Sequence, residues 1–182
     1  MFPLQHKDLA GIMGKGKRRV LVLLTVLLCV GCDQVTKELA KSHLPKTKVV
    51  SFAGGVVRLD YTENRGAVLS FEECLPQEWR GPVVTVAVAA FLGLLAGYLV
   101  FAASLRPVSV LAMSLIAGGT LSNLLDRAVL EGSVVDFLSL GWGGFHSAIF
   151  NLADLAIVVG TVLGGLRVFG RLWSQLSPKT VP

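Results

Sequence analysis

The sequence predicts an integral membrane protein of the α-helical class, with four transmembrane helices and a small extracytoplasmic β-sheet that forms a lid or cradle. The first observation behind this fold is composition: 53% of the 182 residues are apolar and only 16% are charged, which is unusual for a soluble domain of this length. The second is that four apolar segments approach the roughly 20 residues that a helix needs to cross a bilayer. The third is an outer segment in which apolar and polar residues alternate, as they do in a half-buried strand.

The predicted organisation is a polar tail at each end, four spans and two outer loops. The tails are residues 1–19 and 170–182, both cytoplasmic; the spans are 20–41, 82–104, 107–127 and 150–169; the extracytoplasmic loops are the β-rich 42–81 and 128–149. Since so few residues separate the second and third spans, and Pro107 is suited to the first turn of a helix, these two spans are expected to form an antiparallel pair. Gly93 and Gly97, and likewise Gly160 and Gly164, are spaced for close helix packing.

A basic cluster sets the predicted orientation. Lys15, Lys17, Arg18 and Arg19 directly precede the first span, and such clusters stay on the cytoplasmic side. All acidic residues except Asp8 then lie on the outer side, which is where the chemistry is expected. The net charge of +5 is explained by membrane anchoring, and no basic run interleaved with aromatic residues indicates a nucleic-acid partner.

The first outer loop is expected to carry two strands. Residues 48–53 and 56–61 are predicted to pair around a turn at Gly54 and Gly55. So small a sheet cannot bury a core alone, so it is expected to lie on the outer helix ends and the membrane surface.

Polar residues at membrane depth are costly, and each is therefore a functional candidate. Asp33 and Lys37 are four residues apart on one helix face, which permits an ion pair with either a structural or a substrate-facing role. Asn123, Asp126 and Arg127 share one face at the outer end of the third span, where interfacial capping competes with a role in a site.

Two further aspartates stand in settings that are unfavourable for a lone carboxylate. Asp136 follows Val134 and Val135 in an apolar stretch, which raises its pKa in the absence of a partner; an isolated loop aspartate is the alternative. Asp154 lies with Asn151 on the first turn of the fourth span, facing the bundle interior. Two adjacent carboxylates share a proton, so one can act as a base toward water and the other as an acid toward a carbonyl.

The remaining candidates are weaker. Asn64 and Gly66 follow the second predicted strand, where a turn is the simplest explanation. His6, His43 and His146 are dispersed without metal-ligand spacing, so no metal and no cofactor are expected.

Five segments, in this order, carry a family resemblance. They are Asp33-Gln34-Val35-Thr36-Lys37, Asn64-Arg65-Gly66-Ala67, Asn123-Leu124-Leu125-Asp126-Arg127, Val134-Val135-Asp136-Phe137 and Phe150-Asn151-Leu152-Ala153-Asp154. Together they closely resemble lipoprotein signal peptidase, the bacterial signal peptidase II. Ser122 departs from the glycine usual in that family, and the stretch from Arg127 to Asp136 is one residue longer than usual.

The resemblance implies an aspartyl endopeptidase, a hydrolase of the bacterial inner membrane. Such an enzyme removes signal peptides from diacylglyceryl-modified prolipoproteins by cutting before the lipidated cysteine. It implies that Asp136 and Asp154 are the catalytic pair. The residues expected to line or support the site are Asp33, Lys37, Asn64, Gly66, Asn123, Arg127 and Asn151. Expected partners are the lipidated prolipoproteins, membrane lipids and globomycin-type inhibitors.

Two other functions are weighed against this one. A proton or cation transporter also needs intramembrane polar residues, but the polar groups here gather at one face and no inverted repeat is visible. A lipoprotein is suggested by the basic cluster, the apolar run and Gly31-Cys32, which imitate a signal peptide with its lipidation site. The three further spans argue against it.

Overall fold

The computed structural model describes residues 13–65, 76–142 and 144–176, and four helices dominate it. They are α1 (Lys15–His43), α2 (Gln77–Phe101), α3 (Pro107–Val129) and α4 (Leu152–Leu176). Each contains a segment long and apolar enough to cross a membrane. The predicted fold class, four spans with a small sheet, is confirmed.

A four-stranded antiparallel sheet lies at one end of the bundle. Its strands are β1 (Val50–Phe52), β2 (Val57–Asn64), β3 (Val134–Trp142) and β4 (Phe145–His146), paired in the order β1-β2-β3-β4. The predicted hairpin is present, with a 3-10 turn at Ala53–Gly55 in which Gly54 and Gly55 have φ values of 67° and 93°. This left-handed backbone favours glycine.

The third strand was not expected from the sequence. β3 pairs with β2 across a register shift between Leu59 and Thr62, and its first four residues are all buried. A strand buried on both faces lacks the apolar–polar alternation that identifies a half-buried one. As a result, Asp136 lies on a strand and not in an irregular loop.

α3 packs along both α1 and α4, and glycines allow the backbones of α3 and α4 to lie close together. A Cβ at Gly119 would overlap the carbonyl oxygen of Ala153 in α4, and one at Gly160 would lie 2.6 Å from the carbonyl oxygen of Ala112. The packing expected at Gly93 and Gly97 is not found, because no described atom would lie within 4 Å of a Cβ at either position. α2 therefore joins the bundle without close backbone contact at these glycines.

Candidate active site

Asp136 is held on β3 with both carboxylate oxygens occupied. Its side chain is 3% exposed. Asn151 Nδ2 donates to its Oδ1 at 2.7 Å, and Asn64 Nδ2 donates to its Oδ2 at 3.0 Å. Two amides therefore fix the orientation of this carboxyl group.

Asp154 lies on the first turn of α4 in a reciprocal capping arrangement. Asn151 Oδ1 accepts from the Asp154 backbone N–H at 2.9 Å, and Asp154 Oδ2 accepts from the Asn151 backbone N–H at 3.2 Å. This is a capping box built from asparagine and aspartate. The carboxylate thereby lies at the positive end of the helix dipole, where negative charge is stabilised.

Asn151 connects the two aspartates. Its side-chain amide donates to Asp136 while its backbone N–H donates to Asp154. The residue before it, Phe150, is tied to β3, since its carbonyl oxygen accepts from the Leu138 backbone N–H at 2.9 Å and its own N–H donates to Leu138 at 2.8 Å. The start of α4 and the strand bearing Asp136 are thus fixed relative to each other.

Asn123 on α3 supplies the second donor to Asp154. Its Nδ2 donates to Asp154 Oδ1 at 2.8 Å, while its Oδ1 accepts from Lys37 Nζ at 2.9 Å and from Asn151 Nδ2 at 3.2 Å. Because Lys37 can only donate, it dictates which end of the Asn123 amide faces Asp154.

Lys37 is bound by two buried carboxylates. Its Nζ lies 2.6 Å from Asp33 Oδ2 and 2.9 Å from Asp126 Oδ2, and all three side chains are at most 6% exposed. The ion pair expected between Asp33 and Lys37 is present. Asp33 Oδ1 also accepts from the Ala153 backbone N–H at 2.8 Å, and Asp126 Oδ2 accepts from the Val135 backbone N–H at 3.1 Å. The cluster therefore anchors both α4 and β3 just beside the two catalytic candidates.

Three residues outside the predicted set belong to this network. Asp126 was recognised only as sharing a helix face with Asn123. Gln34 Nε2 donates to Asp126 Oδ1 at 2.8 Å and to Ser122 Oγ at 3.0 Å, and Ser122 Oγ donates to Asp33 Oδ2 at 2.7 Å. Their polarity at membrane depth was the available signal, because a buried polar side chain needs partners.

The other predicted residues are placed as follows. Asn64 is exposed at the end of β2 yet reaches Asp136. Arg127 is half-buried, and its guanidinium donates to the Asn123 backbone carbonyl at 3.4 Å. The segment after Arg127 turns at Glu131 and Gly132, which have φ values of 51° and 92°. Gly66 lies outside the described residues.

Burial raises the pKa of Asp136 to about 6, and the charge of Asp154 acts in the same direction. The hydrogen bonds from Asn64 and Asn151 and the charge of Lys37 oppose this increase. A carboxyl group with a pKa near 6 can hold a proton and release it close to neutral pH. Among residues 13–65, 76–142 and 144–176, no group of three or more His, Cys, Asp or Glu side chains is arranged to hold a metal ion.

Comparison with known proteins decides the family. The protein-family model described as Signal peptidase (SPase) II matches residues 25–169. The chain belongs to the signal peptidase II family. The resemblance seen in the five sequence segments is thereby confirmed, and the chain is a multi-pass membrane protease. This membership argues against the transporter alternative.

Individual members of the signal peptidase II family are similar to this chain over most of their length. A lipoprotein signal peptidase of Nitratidesulfovibrio vulgaris (strain DP4) is 37% identical over 163 residues, which cover 89% of this chain and 93% of that protein. A lipoprotein signal peptidase of Streptococcus pyogenes serotype M5 (strain Manfredo) is 37% identical over 147 residues, which cover 81% of this chain and 91% of that protein. A solved bacterial membrane enzyme structure, determined by the in meso method at 2.3 Å resolution, aligns with a TM-score of 0.70 at 25% identity, covering 88% of this chain and 94% of that one.

Proposed function

We propose that this protein is an aspartyl endopeptidase that removes signal peptides from diacylglyceryl-modified prolipoproteins, cutting the peptide bond before the lipidated cysteine. The family and the names of the relatives support the substrate class. The single observation that carries the chemistry is that Asp136 and Asp154 are both hydrogen-bonded to Asn151. A shared partner brings the two carboxyl groups into one site, and acid–base hydrolysis by aspartic proteases uses two neighbouring carboxyl groups that share a proton.

The proposed reaction uses one water and one shared proton. Asp154, at the helix N-terminus, takes a proton from the water as its oxygen attacks the scissile carbonyl carbon. Asp136, whose raised pKa of about 6 makes the protonated form more accessible than in an ordinary aspartate, gives its proton to the carbonyl oxygen, and a neutral gem-diol results. When the C–N bond breaks, Asp154 protonates the leaving nitrogen and Asp136 recovers the gem-diol proton, so the pair returns to its starting state without a covalent intermediate or a metal.

The surrounding residues have positioning roles in this proposal. Asn123 orients the carboxyl group of Asp154, and Asn151 orients that of Asp136. Asn64 holds the Oδ2 atom of Asp136. Lys37 and Asp33 secure Asn123 and the start of α4. Arg127 is assigned a supporting role beside Asn123. Gly66 is assigned to the same site by the family resemblance, although it lies outside the described residues.

The proposed location is the bacterial cytoplasmic membrane, with both termini in the cytoplasm and the active site near the outer face. The basic start of α1 lies at the same end of the bundle as the α2–α3 connection, since the Met13 N–H donates to the Leu105 carbonyl at 3.0 Å. The sheet and both aspartates lie at the other end. A lipidated substrate could then keep its acyl chains in the outer leaflet while its scissile bond reaches Asp154. Globomycin-type inhibitors are expected to occupy this same site.

The proposal is tested by supplying the purified protein in detergent with a diacylglyceryl-modified prolipoprotein and, in parallel, with the same precursor lacking the modification. EDTA is present throughout, and mass spectrometry maps the new N-terminus. Cleavage of the modified precursor alone, directly before the lipidated cysteine, is the expected result. Equal cleavage of the unmodified precursor, cleavage elsewhere or loss of activity in EDTA would contradict the proposal.

A further inference from the structure

A cavity whose basic end is far from the two aspartates lies beside the helix bundle core. It has a volume of about 380 Å³ and lies between α1, α2 and α3, where apolar side chains such as Val22, Leu92, Ala96 and Leu121 form its walls. Arg18 and Arg19 line the same cavity. Arg19 precedes Asp33 by 14 residues, or about 21 Å along a helix, so the basic end of the cavity belongs to the opposite membrane leaflet from the candidate active site, whereas Leu121 lines its other end.

The cavity is open to the membrane on one side. Leu23 and Val100, which both line it, are 59% and 57% exposed on the lipid-facing surface of the bundle. An apolar space of several hundred Å³ is in the range of small-molecule sites in proteins. In a bilayer, lipids have free access to this opening.

The basic end of the cavity has an excess of positive charge. Arg18 is 3% exposed, and its guanidinium donates to the carbonyl oxygens of Ala102 at 2.7 Å and Val100 at 3.0 Å, at the C-terminal end of α2. These carbonyls bear only the partial negative charge of the helix terminus. Within the described part of the chain, no aspartate or glutamate forms an ion pair with Arg18 or Arg19. Since a buried charge is stabilised by a counter-charge, this end of the cavity suits an anion.

We propose that this cavity binds one anionic phospholipid from the leaflet around the N-terminal end of α1. An acyl chain lies along the apolar wall, and the lipid phosphate lies beside Arg19, which is exposed, and near the buried charge of Arg18. A signal-peptide helix would also match the apolar wall, but its basic N-terminal region would meet these same arginines. The charges therefore favour a lipid over the substrate peptide.

Native mass spectrometry of the full chain, titrated with phosphatidylglycerol or with phosphatidylcholine of the same acyl chains, tests this proposal. The wild-type protein is expected to bind one phosphatidylglycerol with a lower Kd than phosphatidylcholine. Arg19→Gln should raise the Kd for phosphatidylglycerol about fivefold. Lys17→Gln removes the same charge from an exposed position outside the cavity, and it should leave this Kd within about twofold.

A third variant tests the cavity itself. Ala96→Phe should abolish tight binding of both lipids because the phenylalanine ring fills part of the cavity. Ala96 is exposed, so the larger side chain does not have to displace packed neighbours when the protein folds. Ala96→Leu, a smaller change, should raise the Kd for both lipids in a protein whose thermal unfolding matches wild type. Three results would overturn the proposal: equal Kd values for the two headgroups, equal effects of Arg19→Gln and Lys17→Gln, or unchanged binding in both Ala96 variants.

Discussion

The second and third membrane spans differ sharply in their surroundings. Half of the apolar window of α3 is buried, against 6% in α2. The buried residues of α3 include Ser122, Asn123 and Asp126, which hydrogen-bond to α1, α4 and β3. α2 contributes Leu99 to a small apolar cluster with Leu105 and Val110. The difference teaches that α3 is the scaffold of the candidate site, whereas most of α2 faces the membrane.

The largest expected effect on stability comes from the cluster that joins α1 to α3. Lys37→Met leaves Asp33 and Asp126 buried without their cation, and breaking a buried ion pair costs about 3–5 kcal/mol. A large decrease in the Tm measured in detergent is expected. Lys41→Met, an exposed position one turn later, should leave the Tm nearly unchanged. Similar decreases for both variants would contradict the importance of the cluster.

The next effect concerns the link between the aspartates. Asn151→Ala removes the donor to Asp136 Oδ1 and the acceptor for the Asp154 N–H. Misplacement of a catalytic group by about 1 Å lowers rates about a hundredfold, and a decrease of this order in kcat is expected. The matched change Ser139→Ala removes a buried hydroxyl on β3 that bonds to the Ser147 carbonyl, and it should retain wild-type kcat. A wild-type kcat in Asn151→Ala would contradict the proposal that Asn151 positions the two aspartates.

A pair of glycine substitutions tests the two spans directly. Gly119→Ala in α3 forces a methyl group against the Ala153 carbonyl, whereas a Cβ at Gly97 in α2 meets no described atom within 4 Å. Overpacking costs about 1–3 kcal/mol, while alanine in an open helix position stabilises by about 0.5–1 kcal/mol. Thermal unfolding should therefore show a lower Tm for Gly119→Ala and an unchanged or higher one for Gly97→Ala. The reverse order would invalidate the comparison between the spans.

The smallest effect is a change in pH dependence. Since the pKa of Asp136 is about 6, its proton is lost as the pH rises through that value, and kcat/KM should fall on this alkaline side. The Asn64 hydrogen bond lowers the pKa because it stabilises the charged form. Asn64→Ala should therefore move the alkaline limb upward by about one unit. In the control Glu63→Gln, whose side chain contacts Tyr61 and not Asp136, the alkaline limb of the kcat/KM profile should remain in place. A shift of this limb to lower pH in Asn64→Ala would contradict the assignment of the limb to Asp136.

Local patterns in the sequence were sufficient for the spans and for part of the site. Span length and composition predicted the four helices, and the spacing of Asp33 and Lys37 predicted their ion pair because it depends on helix geometry alone. The hairpin at Gly54 and Gly55 was likewise a local feature.

The features that were missed depend on contacts between distant segments. β3 pairs with β2, whose partner residues lie 70–83 positions earlier in the chain, and the burial of β3 on both faces hides the alternation of a strand. The position of Asp126 beside Lys37 links residues 89 apart, and the spacing within one helix does not reveal it. The hydroxyl of Ser122 was noted as a departure from the family, but only the packing of α1 against α3 gives it Asp33 as an acceptor.

The most direct measurement is the rate of prolipoprotein cleavage by Asp136→Asn and Asp154→Asn, with Asp60→Asn on β2 as the matched control. General acid–base groups contribute about a hundredfold to ten-thousandfold each. Both site variants should therefore lose at least a hundredfold in kcat while retaining the wild-type Tm, and the control should remain active. A folded Asp136→Asn or Asp154→Asn protein with substantial activity would contradict the claim that these two carboxyl groups activate the water and the scissile carbonyl.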